Sequence, residues 1–219
     1  MTDTLHLTTP VTLQEFSPAT MQTARSSVII GKRNTGKTTL IKDLISKTCA
    51  DIPHGTIITP TDKLLYEGVV PAEQLHESYS ADTVLEVLKR QTNIEIEDRR
   101  AYFVLDNCMY DTSWTKDPML LSLVLFTQSY HLTVFLSMAY ALAMQPTMRD
   151  NIDYVFIFRE PIEQNRKRLY EFYGGMFPSY DVFCAVLDAY TIDHTCLVID
   201  NTTQSTRLKD RVFYYKAST

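Results

Sequence analysis

The sequence predicts an α/β domain with a mostly parallel sheet and helices on both faces. Three observations predict it. Short apolar runs of strand length recur at 28–30, 55–59, 101–105, 132–137, 152–158, 194–199 and 211–215. Stretches with helical spacing of apolar residues lie between most of them. The chain is 219 residues long, enough for one well-packed domain with little left over. Strands alternating with helices put the crossovers on the sheet faces, so function belongs at the C-terminal edge of the strands, where Gly31, Asp106 and Ser137 are expected to gather.

Taken in order, residues 1–25 are rich in Thr, Ser and Pro, with apolar residues at Val11, Leu13 and Phe16. They read as an N-terminal arm, either carrying an edge strand that docks on a neighbouring subunit or fraying as a terminus. Residues 27–44 read SVIIGKRNTGKTTLIKDL, a strand, a Gly-containing turn and a helix. Gly31, Gly36, Lys37 and Thr38 fit the phosphate-loop pattern G-x-x-x-x-G-K-[ST]. Val28, Ile29 and Ile30 form the buried strand that aims the loop. The glycines allow backbone conformations in which successive N–H groups wrap a phosphate. Lys37 supplies a charged donor to the outer phosphates, and the Thr38 hydroxyl is a ligand for Mg²⁺. The helix that follows points its positive end at the anion. Gly31, Arg33, Asn34, Thr35, Gly36, Lys37, Thr38 and Thr39 are therefore the expected nucleotide-binding residues, and 26–219 the P-loop domain that carries them.

Residues 55–59, between Pro53 and Pro60, read as the second strand. Residues 60–80 read as irregular, and a helix starts at Ala81 with Val84, Leu85 and Leu88 on one face. Residues 95–100 read as a solvated turn. The run 101–107 is apolar until Asp106 and Asn107. A buried parallel strand that delivers an aspartate beside a phosphate loop is the pattern of the second nucleotide motif, in which Asp106 holds Mg²⁺ through water. Asp117–Pro118 begins another helix through Leu125. After the strands at 132–137 and 152–158 come helices at about 161–173, ended by Gly174–Gly175, and about 179–189. Two strands close the chain.

Bulk properties exclude several classes. No apolar run approaches bilayer length, and the N-terminus lacks a signal-peptide pattern. Cys49, Cys108, Cys184 and Cys196 have no metal or redox spacing and read as reduced residues of an intracellular protein. The five histidines show no ligand pairing. A net charge of −5 argues against a large non-specific nucleic-acid footprint but not against a basic patch inside a ring.

Three segments resemble the genome-packaging ATPases of large DNA viruses, within the FtsK/HerA division of P-loop motors. They are GKRNTGKTTL, FVLDNCMYD followed by SWTKDP, and NIDYVFIFRE…NRKRLYEFYGGMFPSYDVFCAVLD…CLVIDN. The resemblance covers roughly 25–216 and implies a RecA-like core whose sensor strand lies between the phosphate-loop strand and the Asp106 strand. It implies a homo-oligomeric ring with ATP and Mg²⁺ at subunit interfaces and double-stranded DNA through the centre. It further implies a viral capsid or membrane-vertex partner, and a location in the host-cell cytoplasm (the virus factory) or the virion. Lys37, Asp106 and the residue after it then carry catalysis, with an arginine supplied by the next subunit.

Two positions depart from that family. Asn107 stands where a second acid is expected, and Ala139 where the sensor strand usually carries Gln. An amide orients a water but does not take its proton. Asp111 is a nearby candidate for the missing acid but reads first as a turn residue, and Gln145 substitutes for the missing amide only if its loop is rearranged. Arg149 and Arg159 are the first choices for the trans-acting arginine, ahead of Arg166 and Arg168. The aromatics Tyr170, Phe172, Tyr173, Phe177, Tyr180 and Phe183 read as packing rather than base stacking. The alternative function is a nucleotide-binding assembly or scaffold subunit with little hydrolysis.

Overall fold

The computed structural model describes residues 11–60, 63–108, 113–140 and 144–218. Its strands are β1 (Gln14–Glu15), β2 (Ser26–Ile30), β3 (His54–Ile58), β4 (Leu75–His76), β5 (Ala101–Leu105), β6 (Leu132–Met138), β7 (Tyr154–Ile157), β8 (Thr195–Asp200) and β9 (Val212–Lys216). The helices are α1 (Lys37–Thr48), α2 (Ala81–Thr92), α3 (Pro118–Leu125), α4 (Pro146–Arg149), α5 (Glu163–Tyr173) and α6 (Tyr180–Tyr190). The strands form one sheet in the order β1-β9-β8-β7-β2-β6-β5-β3-β4. From β7 to β4 all pairs are parallel, whereas β8 is antiparallel to both β7 and β9. The α/β class and the mostly parallel sheet are as expected. So is the position of β6 between β2 and β5, the RecA-like arrangement.

Local chemistry accounts for the helix starts. The Ser80 side chain accepts the Asp82 N–H, Asp117 accepts those of Met119 and Leu120 ahead of Pro118, and Ser179 accepts that of Val182. Strand periodicity then divides the core. Val28 and Ile30 point to one face, with Phe103, Leu105, Val134, Leu136, Val155 and Ile157, and α2, α3, α5 and α6 cover them. Ile29 points to the other face, with Val104, Phe135, Tyr154 and Phe156, and packs against Leu40, Ile41 and Leu44 of α1.

That second face needs a further cover, and the N-terminal stretch supplies it. β1 pairs with β9, and Phe16 is buried against Tyr154, Phe156, Phe213 and Tyr215. Leu13 is buried on the opposite face. The loop predicted at 60–80 contains short 3-10 turns at Lys63–Tyr66 and Ala72–Gln74 and the edge strand β4. Trp114 is a buried anchor whose Nε1 donates to the Cys108 carbonyl. Tyr170, Phe177 and Phe183 pack ring against ring in the α5–α6 layer, as read from the sequence. No helix among the described residues is long and apolar enough to cross a membrane.

Candidate nucleotide site

The loop between β2 and α1 closes tightly over the sheet edge. The Gly31 N–H donates to the Met138 carbonyl at the end of β6. A Cβ on Gly31 would lie 2.6 Å from Thr35 Oγ1 and 2.7 Å from Phe158 Cβ, so glycine is required by contact. Gly36 has φ 105°, a left-handed conformation that a side chain would strain, and it is the residue before the first turn of α1. Asn34 is also left-handed, which its short amide side chain tolerates. Lys37 is buried, and its Nζ donates to the Lys32 carbonyl at 3.0 Å, across the mouth of the loop.

Beneath the loop, parallel pairing of β5, β6 and β2 brings the distant residues together. Asp106, at the end of β5, is fully buried. Its Oδ2 accepts the Thr38 hydroxyl at 2.8 Å and the Tyr66 hydroxyl at 3.0 Å, and its Oδ1 accepts the Ser137 hydroxyl. A hydroxyl and a carboxylate in contact are the hard oxygen donors that magnesium prefers, so Thr38 and Asp106 fit that metal as a pair. Asn107 has φ 57° and donates its N–H to Ser137 Oγ at 2.9 Å. A left-handed backbone at this point favours Asn or Asp over longer side chains. Arg33, Asn34, Gly36, Lys37, Thr38, Thr39, Leu65 and Asn107 together line a cleft of about 220 Å³.

A second cleft, of about 450 Å³, opens on the β7–β8 side of the loop, with Asn34, Thr35, Phe158, Arg159, Ile192 and His194 among its walls. His194 Nδ1 lies 3.1 Å from the Thr35 carbonyl. Asp193 and His194 are consecutive left-handed residues, a strain that concentrates at working sites. Glu160, buried just after β7, pairs with Lys32 at 3.3 Å and accepts the Ile162 N–H at the start of α5, tying the loop to that helix.

The arginines separate. Arg159 follows β7 at the loop edge, half-exposed, with Asp188 at 3.6 Å. Arg166 makes the stronger pair with Asp188, at 2.8 Å, and holds that carboxyl below its usual range. Arg149 sits before β7, at the opposite, N-terminal edge of the sheet, stacked on Phe172 at 4.3 Å. The five-residue β2 alone separates the two edges by roughly 15 Å. Gln145 donates to the Thr115 carbonyl, and Ala139 follows β6. Asp111 lies outside the described residues.

Sequence reasoning placed Ser137 at this edge but missed Tyr66, Leu65, Phe158, Glu160 and His194. Only the strand register reveals Ser137 as the partner of both Asp106 and Asn107. Tyr66 lies in a stretch with no periodicity, so no local signal marked it.

No known family model matches the chain. It is 30% identical over 219 residues to "Uncharacterized protein L437" of Acanthamoeba polyphaga mimivirus, covering 94% of this chain and 77% of that one. It is 34% identical over 196 residues to "Uncharacterized protein 088R" of Invertebrate iridescent virus 3, covering 86% and 74%. In fold it matches the genome packaging NTPase B204 from Sulfolobus turreted icosahedral virus 2 in complex with AMPPCP, with a TM-score of 0.62. That match is 13% identical and covers 90% of this chain and 99% of that one. The chain belongs to the viral protein family that includes L437 and 088R, and it has the P-loop fold of the viral genome-packaging NTPase B204.

Proposed function

We propose that the chain is an ATP-driven translocase of double-stranded DNA that loads a viral genome into its capsid, working as a homo-oligomeric ring. The observation that carries the reading is the 2.8 Å contact between the Thr38 hydroxyl and the Asp106 carboxylate directly under the Gly31–Lys37 loop. That contact joins two motifs 68 residues apart at one edge of the sheet, which supports the reading of a single triphosphate site. In this reading the phosphates occupy the 220 Å³ cleft, and the nucleoside extends into the 450 Å³ cleft past Phe158 and Ile192.

Lys37 leaves the Lys32 carbonyl to meet the outer phosphates, and the loop N–H groups hold the bridging oxygens. Magnesium, when bound, neutralises charge on the outer phosphates. Thr38 and Asp106 hold it, the latter through water. Asn107 orients the attacking water with its amide, and the proton leaves to solvent or to another base. Water attack breaks the bond between the terminal phosphorus and the bridging oxygen, releasing ADP and phosphate. Arg159 borders the site of its own chain, whereas Arg149 reaches a triphosphate only from a second copy.

A second reading, a nucleotide-binding assembly or scaffold subunit with little hydrolysis, is favoured by one observation. The side chain facing the cleft beside Lys37 and Thr38 is the amide of Asn107, not a carboxylate. A DNA-stimulated ATPase assay separates the two. The motor requires turnover that rises with double-stranded DNA and drops about 10²–10³-fold in Lys37→Ala. Tight Mg·ATP binding with no turnover on any DNA would establish the scaffold.

A further inference from the structure

We infer that Tyr66 is a positioning residue for the Asp106 carboxylate and sets how strongly nucleotide binding depends on magnesium. The inference rests on the nucleotide-site reading above and extends it to a residue outside both sequence motifs. Tyr66 is fully buried at the end of the Lys63–Tyr66 turn, in the connection between β3 and β4. Its hydroxyl reaches Asp106 Oδ2 at 3.0 Å, on the same oxygen that accepts Thr38.

A carboxylate offers about four lone-pair directions. Thr38, Tyr66 and Ser137 take three of them, which leaves about one for a metal-bound water. The three donors come from three elements, namely α1, the β3–β4 connection and β6. Asp106 therefore meets an incoming metal in a single orientation. Thr38 also serves the metal, and Ser137 also serves the Asn107 N–H. The ring of Tyr66 is fully buried in the core cluster with Ile57, Val104 and Phe135, and close packing there fixes where its hydroxyl lies. The same turn puts Leu65 in the wall of the 220 Å³ cleft, so the group that orients Asp106 and part of the cleft wall lie on one short turn. Outer partners that orient a ligand in this way commonly govern metal affinity more than they govern the fold.

The test uses Tyr66→Phe in the full chain, which keeps the ring and removes the hydroxyl. Binding of a fluorescent ATP analogue is titrated with Mg²⁺, and again in EDTA, with a thermal melt of each protein. The expected result is a Mg²⁺ midpoint raised about tenfold or more with the EDTA affinity unchanged within about twofold. An unchanged midpoint overturns the inference, as does an equal fall in both affinities. A wild-type chain that binds no nucleotide overturns the proposed function instead. If Tyr66→Phe does not fold, a ring-fluorinated tyrosine introduced at position 66 supplies the readout. Its fluorine resonance must shift when Mg²⁺ is added to the nucleotide-bound chain, and a resonance that stays put overturns the inference.

Discussion

The cleft around the phosphate loop is built differently on its two sides. Toward β5 and β6 the walls include Lys37, Thr38 and Asn107, with Asp106 below them, drawn from two compact motifs, and Leu65 from the turn after β3. Toward β7 and β8 the walls are Phe158, Arg159, Ile192 and His194, drawn from segments with no motif of their own. The strand directions explain why. On the first side every strand is parallel, so each motif at a strand's C-terminal end arrives at the same edge. On the second side β8 runs antiparallel to β7, which brings the segment before β8 to that edge instead of the segment after it. The side toward β5 and β6 thus draws mainly on two short motifs that parallel strands bring together, and the opposite side on a reversal of chain direction.

Three substitutions would break or sharpen this contrast. The largest effect is expected from Arg149, which lies at neither side of its own cleft. If it completes the site of a neighbouring copy, Arg149→Ala loses about 10³-fold or more in turnover. Mixing it with Lys37→Ala chains then restores activity, because each defective copy supplies what the other lacks. A mixture as inactive as its parts would show that Arg149 does not act across subunits.

On the phosphate side, Asn107→Asp puts a proton acceptor where the cleft now holds an amide. Aspartate tolerates the left-handed backbone there, so the fold is expected to persist. Steady-state hydrolysis should rise about tenfold or more, within the range that general-base catalysis supplies. Unchanged turnover would mean that the base lies elsewhere and that Asn107 only orients.

On the other side, Ile192→Ala trims a half-exposed wall of the larger cleft. ATP affinity should fall about three- to tenfold, as expected for two or three methylene groups' worth of partial burial. Affinity for inorganic triphosphate, measured by competition, should not change. If both ligands weaken equally, the nucleoside does not lie in that cleft and the two-sided description fails.

The readable part of the fold was the set of elements whose signals are local. Asp117 and Pro118 marked the start of α3, Gly174 the end of α5, and the apolar run before Asp106 the strand β5. The edge strand β4 is two residues long and carries no alternation, so it was invisible in the sequence. The pairing of β1 with β9 joins residues about two hundred positions apart, beyond any periodicity.

The sequence by itself determined the loop chemistry, because a backbone that wraps a phosphate needs glycine, lysine and a hydroxyl in a fixed short spacing. It also determined the alternation of strand and helix, through apolar periods of two and 3.6 residues. Only the tertiary structure decided that Ser137 and Tyr66 hold Asp106, that Arg149 and Arg159 occupy opposite edges, and that β8 turns back against β7. Those outcomes depend on strand order and register, which arise from burying both sheet faces at once and leave no mark on any single stretch of chain.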